Sequence, residues 1–221
     1  MGKIMGTLLV AIVLLLGRAY ASRNQAQAPG KFKVIALAAM AQYNCVNCHT
    51  IDGAPRNRNM ISAPRLNQIA LRRSKDWIMQ WMENPPAIKP GAIMPIFPLS
   101  KEQQEAIAEY LISLSTPVDS KAIFKQAKTQ EEAGEKFIAV YDCLACHSIK
   151  AEGLASMGRR VGPDLSHIAS EITVTGEQWS EAWEAAWLYD PAAKKPGTFM
   201  PKFTLTDKEI KAIVAYIKTL R

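Results

Sequence analysis

What the sequence lacks narrows the field first. No stretch shows the period-two alternation of a half-buried strand, so a thioredoxin-like unit, which needs a strand ahead of its cysteines, has no footing. Nothing resembles a nucleic-acid-binding module, which removes nucleic acid from the partners a basic chain could have. Neither the high charge nor the low hydrophobicity of a disordered chain is present: 48% of the residues are apolar and 21% charged. Histidine and cysteine are scarce, three and four residues among 221. They are not scattered. Cys45/Cys48 and Cys143/Cys146 form two tight pairs, and each is followed at once by a histidine, His49 and His147.

The N-terminus reads as an export segment. Lys3 gives a positive start, Gly6 to Gly17 is almost wholly apolar, and Ala19-Tyr20-Ala21 offers the small residues a signal peptidase reads. The apolar core is about a dozen residues, where crossing a bilayer takes roughly 20. The expectation is a signal peptide over residues 1–21, with a membrane anchor as the alternative if Arg18 snorkels. Cleavage removes Lys3 and Arg18 and no acid, leaving 25 bases against 20 acids.

The rest of the chain is a repeat. Trp77, Trp81, Pro85, Lys89, Met94, Pro95, Phe97, Leu99, Tyr110 and Leu114 each recur 106 residues later, from Trp183 to Leu220. The cysteine motifs are offset by 98, so the second half carries a short insertion, placed around Ile172 to Gln178. The halves are expected as domains over 30–117 and 127–221. Each has the same plan. A helix, roughly Phe32 to Tyr43 or Glu131 to Tyr141, leads into the cysteines. A Trp-bearing helix, Lys75 to Glu83 or Ser180 to Tyr189, stops at Asn84-Pro85 or Asp190-Pro191, because proline disfavours helix in the residue before it. A Pro/Gly loop carries a methionine. A last helix opens on a capping box, Ser100 to Gln103 or Thr206 to Glu209. Its apolar stripe is Ile107, Tyr110, Leu111 and Leu114, or Ile210, Ile213, Val214, Ile217 and Leu220. The fold class is all-α.

Cys-x-x-Cys-His is the attachment signature of c-type haem. The two sulfurs join the porphyrin's vinyl groups and the adjacent histidine becomes the proximal iron ligand. Other readings explain less. One zinc site built from both pairs would waste the histidines, and two structural disulfides would need tight, strained loops. Of nine methionines, Met94 and Met200 alone occupy matching positions, each in a Pro-Gly-x-x-Met-Pro loop. A thioether facing the histidine would be the sixth ligand of an electron-transfer haem and would raise its potential. Core packing is the bland reading for the remaining methionines. His167 has Gln68 as its repeat partner and reads as a surface residue. The tryptophans are expected to pack the haem or reach its propionates, with Arg65, Arg159 and Arg160 as further propionate partners.

With these residues in view, both halves resemble class I cytochrome c domains. The resemblance implies a small helical fold wrapped round one covalent haem, with first and last helices crossing. It implies that Pro163, in Gly162-Pro163-Asp164-Leu165, accepts the proximal histidine's N–H through its carbonyl, and that Pro64 does so in the first half. The first half departs from the pattern, reading Ala63-Pro64-Arg65-Leu66. Thr50 and Ser148 follow the motifs where a cytochrome c4 usually has glycine, which favours a dihaem subunit of a respiratory complex over that group.

The expected function is one-electron transfer through two low-spin His/Met haems, without substrate chemistry. The chain would act in a respiratory or photosynthetic electron-transfer chain, as a soluble periplasmic carrier or, at the outer face of the cytoplasmic membrane, as a subunit of a membrane redox complex. The competing reading is a haem subunit of a dihaem peroxidase or dehydrogenase. Ten bases face six acids in 30–117, against twelve and thirteen in 127–221. An acidic redox partner is therefore expected on the first half, with Arg72 and Arg73 in the docking face.

Overall fold

The computed structural model describes residues 30–52, 63–150, 157–158 and 162–220. The export segment, Met60, Arg159 and Arg160 lie outside the described residues. Among those described, no helix is long and apolar enough to cross a membrane.

The helices follow the repeat. α1 runs over 30–42 and α2 over Lys75–Glu83. The Ser74 side chain caps α2 by accepting from the Trp77 N–H at 3.2 Å. The chain is expected to become loop at Asn84-Pro85, but a short helix α3, Pro85–Ile88, starts there. The physics is the same. Proline ends α2 by excluding Asn84 from helical geometry, yet its fixed φ suits a first helical position, and the Asn84 side chain caps the new turn. α4 spans Lys101–Ser113 behind a complete Ser100/Gln103 capping box.

The second half repeats this with α6, Gln130–Val140, α7, Glu181–Tyr189, α8, Pro191–Lys194, and α9, Asp207–Ile217. The Thr206/Glu209 box is again complete. First and last helices cross closely here. A Cβ at Gly134 of α6 would lie 2.0 Å from the Ala212 carbonyl oxygen of α9, so only glycine permits this approach.

Each half has its own apolar core. Ala36, Met40, Ile78, Ile107 and Leu111 belong to one, and Phe137, Ile138, Ile210, Ile213 and Ile217 to the other. The link between halves, which has no strong breaker beyond Pro117, contains helix α5, Ser120–Gln126, and its Ile123 joins the second core. The insertion is a tight turn: Thr173 N–H donates to the Glu177 carbonyl at 2.8 Å, and Gly176 has φ +83°. A two-residue antiparallel ladder pairs β1, Ser148–Ile149, with β2, Met157–Gly158. It departs from an all-helical expectation and is too short to leave an alternating pattern.

The halves meet through the basic residues expected at a docking face. Arg72 is 8% exposed, and its guanidinium reaches a carboxylate oxygen and the carbonyl of Asp142, both at 3.1 Å. Arg65 bonds the other carboxylate oxygen of Asp142. Arg73 donates to the Phe199 carbonyl at 2.8 Å and lies 4.5 Å over the Trp77 ring. The docking reading of Arg72 and Arg73 is therefore wrong. A buried carboxylate in the other half engages one of them, and a backbone oxygen with aromatic rings engages the other. Sequence charge counts cannot distinguish that from a solvated face.

Candidate functional site

Both cysteine motifs are built alike. The leading helix ends where Asn44 (φ 55°) and Asp142 (φ 56°) enter the left-handed region. Asn and Asp tolerate that geometry better than other side chains. A 3₁₀ turn follows, Cys45–Asn47 or Cys143–Ala145. It brings the histidine N–H to the first cysteine's carbonyl, 3.0 Å for His49 to Cys45 and 3.0 Å for His147 to Cys143. Two sulfurs and a histidine are thus gathered on one turn.

Each histidine is then oriented from a distant loop. Nδ1 of His49 lies 2.7 Å from the Pro64 carbonyl oxygen, and Nδ1 of His147 lies 2.8 Å from that of Pro163. A carbonyl only accepts, so Nδ1 carries the proton and Nε2 keeps its lone pair for a metal. Burial lowers the His147 pKa, opposed by its bond to Pro163. Gly162 permits the close approach, since a Cβ there would fall 2.7 Å from the imidazole Cε1. Ala63 takes the equivalent place in the first half, where the loop accommodates a methyl.

The four cysteines form no disulfide. Burial pushes the Cys143 thiol up to about 12 and raises Cys45 and Cys146 too. Among the described residues no group of three or more His, Cys, Asp or Glu could hold a metal ion. Paired thiols beside a histidine with a free Nε2 fit a covalently attached haem whose iron takes that nitrogen.

Met94 and Met200 are both half-buried and share an environment that sequence reasoning did not foresee. The Trp81 indole N–H donates to the Met94 sulfur at 3.0 Å, and that of Trp187 to the Met200 sulfur at 2.9 Å. The Trp183 indole N–H donates to the Thr175 hydroxyl, at 2.9 Å. The signal was the fixed thirteen-residue interval between Trp and Met in both halves. Trp77 stacks on Trp81 with centroids 5.2 Å apart, and Trp183 on Trp187 at 5.3 Å. Arg65, expected at a propionate, faces Asp142. His167 is exposed and leads the short turn Ile168–Ser170, as Gln68 leads Ile69–Leu71.

A family model described as Cytochrome c matches residues 36–115 and again 131–221. Among curated proteins, the chain is 31% identical over 127 residues to the Cbb3-type cytochrome c oxidase subunit CcoP of Azospirillum brasilense, covering 55% of this chain and 37% of that protein. It is 32% identical over 119 residues to cytochrome c2 of Rhodospirillum rubrum, covering 43% of this chain and 84% of that one. It is 25% identical over 105 residues to cytochrome c oxidase subunit 2 of Alkalihalophilus pseudofirmus, covering 46% and 29%. The chain thus spans about a third of the length of the two oxidase subunits.

Proposed function

Since the chain belongs to the cytochrome c family, with two tandem domains, we propose that it passes single electrons through two c-type haems, one in each half. When bound, each haem supplies an iron that cycles between ferric and ferrous states. Cys45, Cys48, Cys143 and Cys146 hold the groups covalently. His49 and His147 ligate through Nε2, oriented by Pro64 and Pro163. Met94 and Met200 would offer their thioethers as further iron ligands, which would favour the ferrous state. The observation that carries this reading is its duplication: both halves present the same histidine-to-carbonyl bond and the same indole-to-sulfur bond.

The domain units are proposed as 30–117 and 127–221, with α5 leaning on the second. Export and action on the periplasmic side follow from the N-terminal reading and from the attachment motif. The oxidase-subunit relatives support a place in a respiratory chain, as a carrier or as part of a membrane complex. A methionine available in each half disfavours the peroxidase reading, which needs an open distal face.

The partner of the first half is proposed to be acidic. Ile93 and Ile96, 84% and 59% exposed beside Met94, would form the apolar centre of that contact in place of Arg72 and Arg73. Exchange with an acidic partner should slow in Ile93→Glu and in added salt; indifference to both would remove the docking idea.

Replacing the methionines tests the ligation. Met94→Ala should abolish about half of the methionine-to-ferric-iron absorption and lower the potential at one centre only; Met200→Ala should do the same at the other. Unchanged spectra in both variants would refute the assignment.

A further inference from the structure

The loop that carries Met200 reaches into the first half through Phe199. Phe199, next to Met200, packs against Trp81 with ring centroids 5.3 Å apart and against Trp77 at 6.0 Å. Arg73 fixes the Phe199 carbonyl at 2.8 Å and lies 5.3 Å over its ring. The Lys89 ammonium lies over the same ring at 4.6 Å. The repeat counterpart of Phe199 is Ile93, which is 84% exposed. One half thus holds an aromatic ring in an interface where the other leaves an aliphatic side chain in solvent.

The consequence lies in what this ring joins. The indole that receives Phe199 is the one whose N–H meets the Met94 sulfur at 3.0 Å. A continuous line therefore runs from the Met94 sulfur through Trp81 and Phe199 to Met200, with one covalent stretch and two close contacts. Electron tunnelling weakens steeply with each gap through space, and tilted rings with centroids 5.3 Å apart keep that gap short. Arg73 and Lys89 hold the ring by cation–π contact.

We propose that Trp81 and Phe199 form the electron bridge between the two iron sites. The proposal rests on the reading of two haem-bearing halves. One electron leaves the reduced iron of one site, which becomes ferric, and arrives at the oxidised iron of the other, which becomes ferrous. No proton moves and no bond forms or breaks. The rings supply orbitals and are not themselves oxidised. In the Met94 loop Ile93 stays open to an external partner, while its counterpart Phe199 is committed to internal exchange.

The test uses the full chain with both haems. Half-reduced protein is observed by nuclear magnetic resonance, and the rate of internal exchange is read from haem-methyl cross-peaks at several protein dilutions. Phe199→Leu should slow that rate severalfold while haem content and both potentials hold. Phe199→Tyr, which keeps the ring, should exchange at the unmutated rate, and so should Ile172→Leu, at an exposed site away from the bridge. Overhauser contacts from the Phe199 ring to Trp77 and Trp81 should be present in the parent chain irrespective of rate. An unaltered rate in Phe199→Leu would overturn the bridge, as would equal slowing in Phe199→Tyr, which would show that packing and not the ring matters. Fewer than two haems in the unmutated chain would overturn the proposed function itself, a failure visible before any exchange is measured.

Discussion

An indole N–H aimed at a methionine sulfur draws electron density from the thioether and fixes its direction. A poorer thioether donor supports ferric iron less well, so with the methionines ligating as proposed the bond should raise the potential. Trp187→Phe keeps most of the ring volume and removes the donor. If the bond is worth about 1 kcal/mol, the potential of that centre should fall by about 40 mV in redox titration, the other centre staying put. A second residue bears on pH. Glu184 is 6% exposed, and its repeat counterpart is the buried Ile78. Burial raises its pKa from 4.5 to about 7, and the Trp179 indole N–H at 3.0 Å only partly opposes this. Between those two values the folded chain holds a proton that the unfolded chain has lost. Stability therefore falls as pH rises through that window and is flat above it. The ceiling, at about 1.4 kcal/mol per pH unit, is about 3 kcal/mol. Glu184→Gln keeps an acceptor for Trp179, so it should match the parent at pH 4 and exceed it in denaturant unfolding at pH 8. At this scale the bonds from His49 to Pro64 and from His147 to Pro163 were legible because a repeated motif fixes one residue type at one spacing. Arg72 and Trp81 were not, because an arginine or a tryptophan serves many environments and only the fold says which.

Helix α6 meets α9 through the missing side chain of Gly134. The first half has Ala36 at the matching position, fully buried, so the two crossings are not the same distance problem. A methyl on Gly134 would collide with the backbone of Ala212, where no rotamer can give way. Gly134→Ala gains about 1 kcal/mol of helix propensity. Overpacking should cost about 1–3 kcal/mol or more, so the net is a loss. The thermal midpoint should drop, whereas the same substitution at an exposed helical glycine would raise it. The caps offer a milder probe. The Thr206 side chain is bonded both to the Glu209 N–H and to its carboxylate, which also accepts from Ser120 at 2.5 Å and Tyr141 at 2.9 Å. Thr206→Ala should cost about 1 kcal/mol or somewhat more, read by urea unfolding, because the cap anchors that larger cluster. Long periodic helices with boxed starts were readable from the sequence. The four-residue helices after Asn84 and Asp190, the link helix α5 and the β1–β2 ladder were not. Each is too short to show a period and exists because a neighbour caps or buries it.

The two cores would allow two independent domains, but Asp142 ties them. It sits just before Cys143, 5% exposed, with Arg72 and Arg65 of the other half on its carboxylate. A buried ion pair adds little net stability against an apolar replacement, yet breaking one side of it costs about 3–5 kcal/mol because a charge is stranded. Arg65 remains for Asp142 if Arg72 is lost, so the cost of Arg72→Met should lie toward the lower end. The opposite single change is unusually clean. Asp142 has φ 56° and ψ 42°, and the first half places Asn44 at φ 55° and ψ 38° in the same position. Asp142→Asn therefore leaves the backbone unstrained and removes only the charge, stranding Arg72. The double variant, Arg72→Met with Asp142→Asn, strands neither, so it should be more stable than the two single losses predict, and the shortfall is the coupling between the halves. Urea unfolding of the full chain, followed by the absorbance of both haems, supplies the numbers. The parent should unfold in one transition and Arg72→Met in two, because the remaining contacts, Arg73 on Phe199 among them, are fewer than the halves need to melt together. Strictly additive losses, or a parent that already unfolds in two steps, would mean that the buried pair fixes the orientation of the halves without coupling their stability.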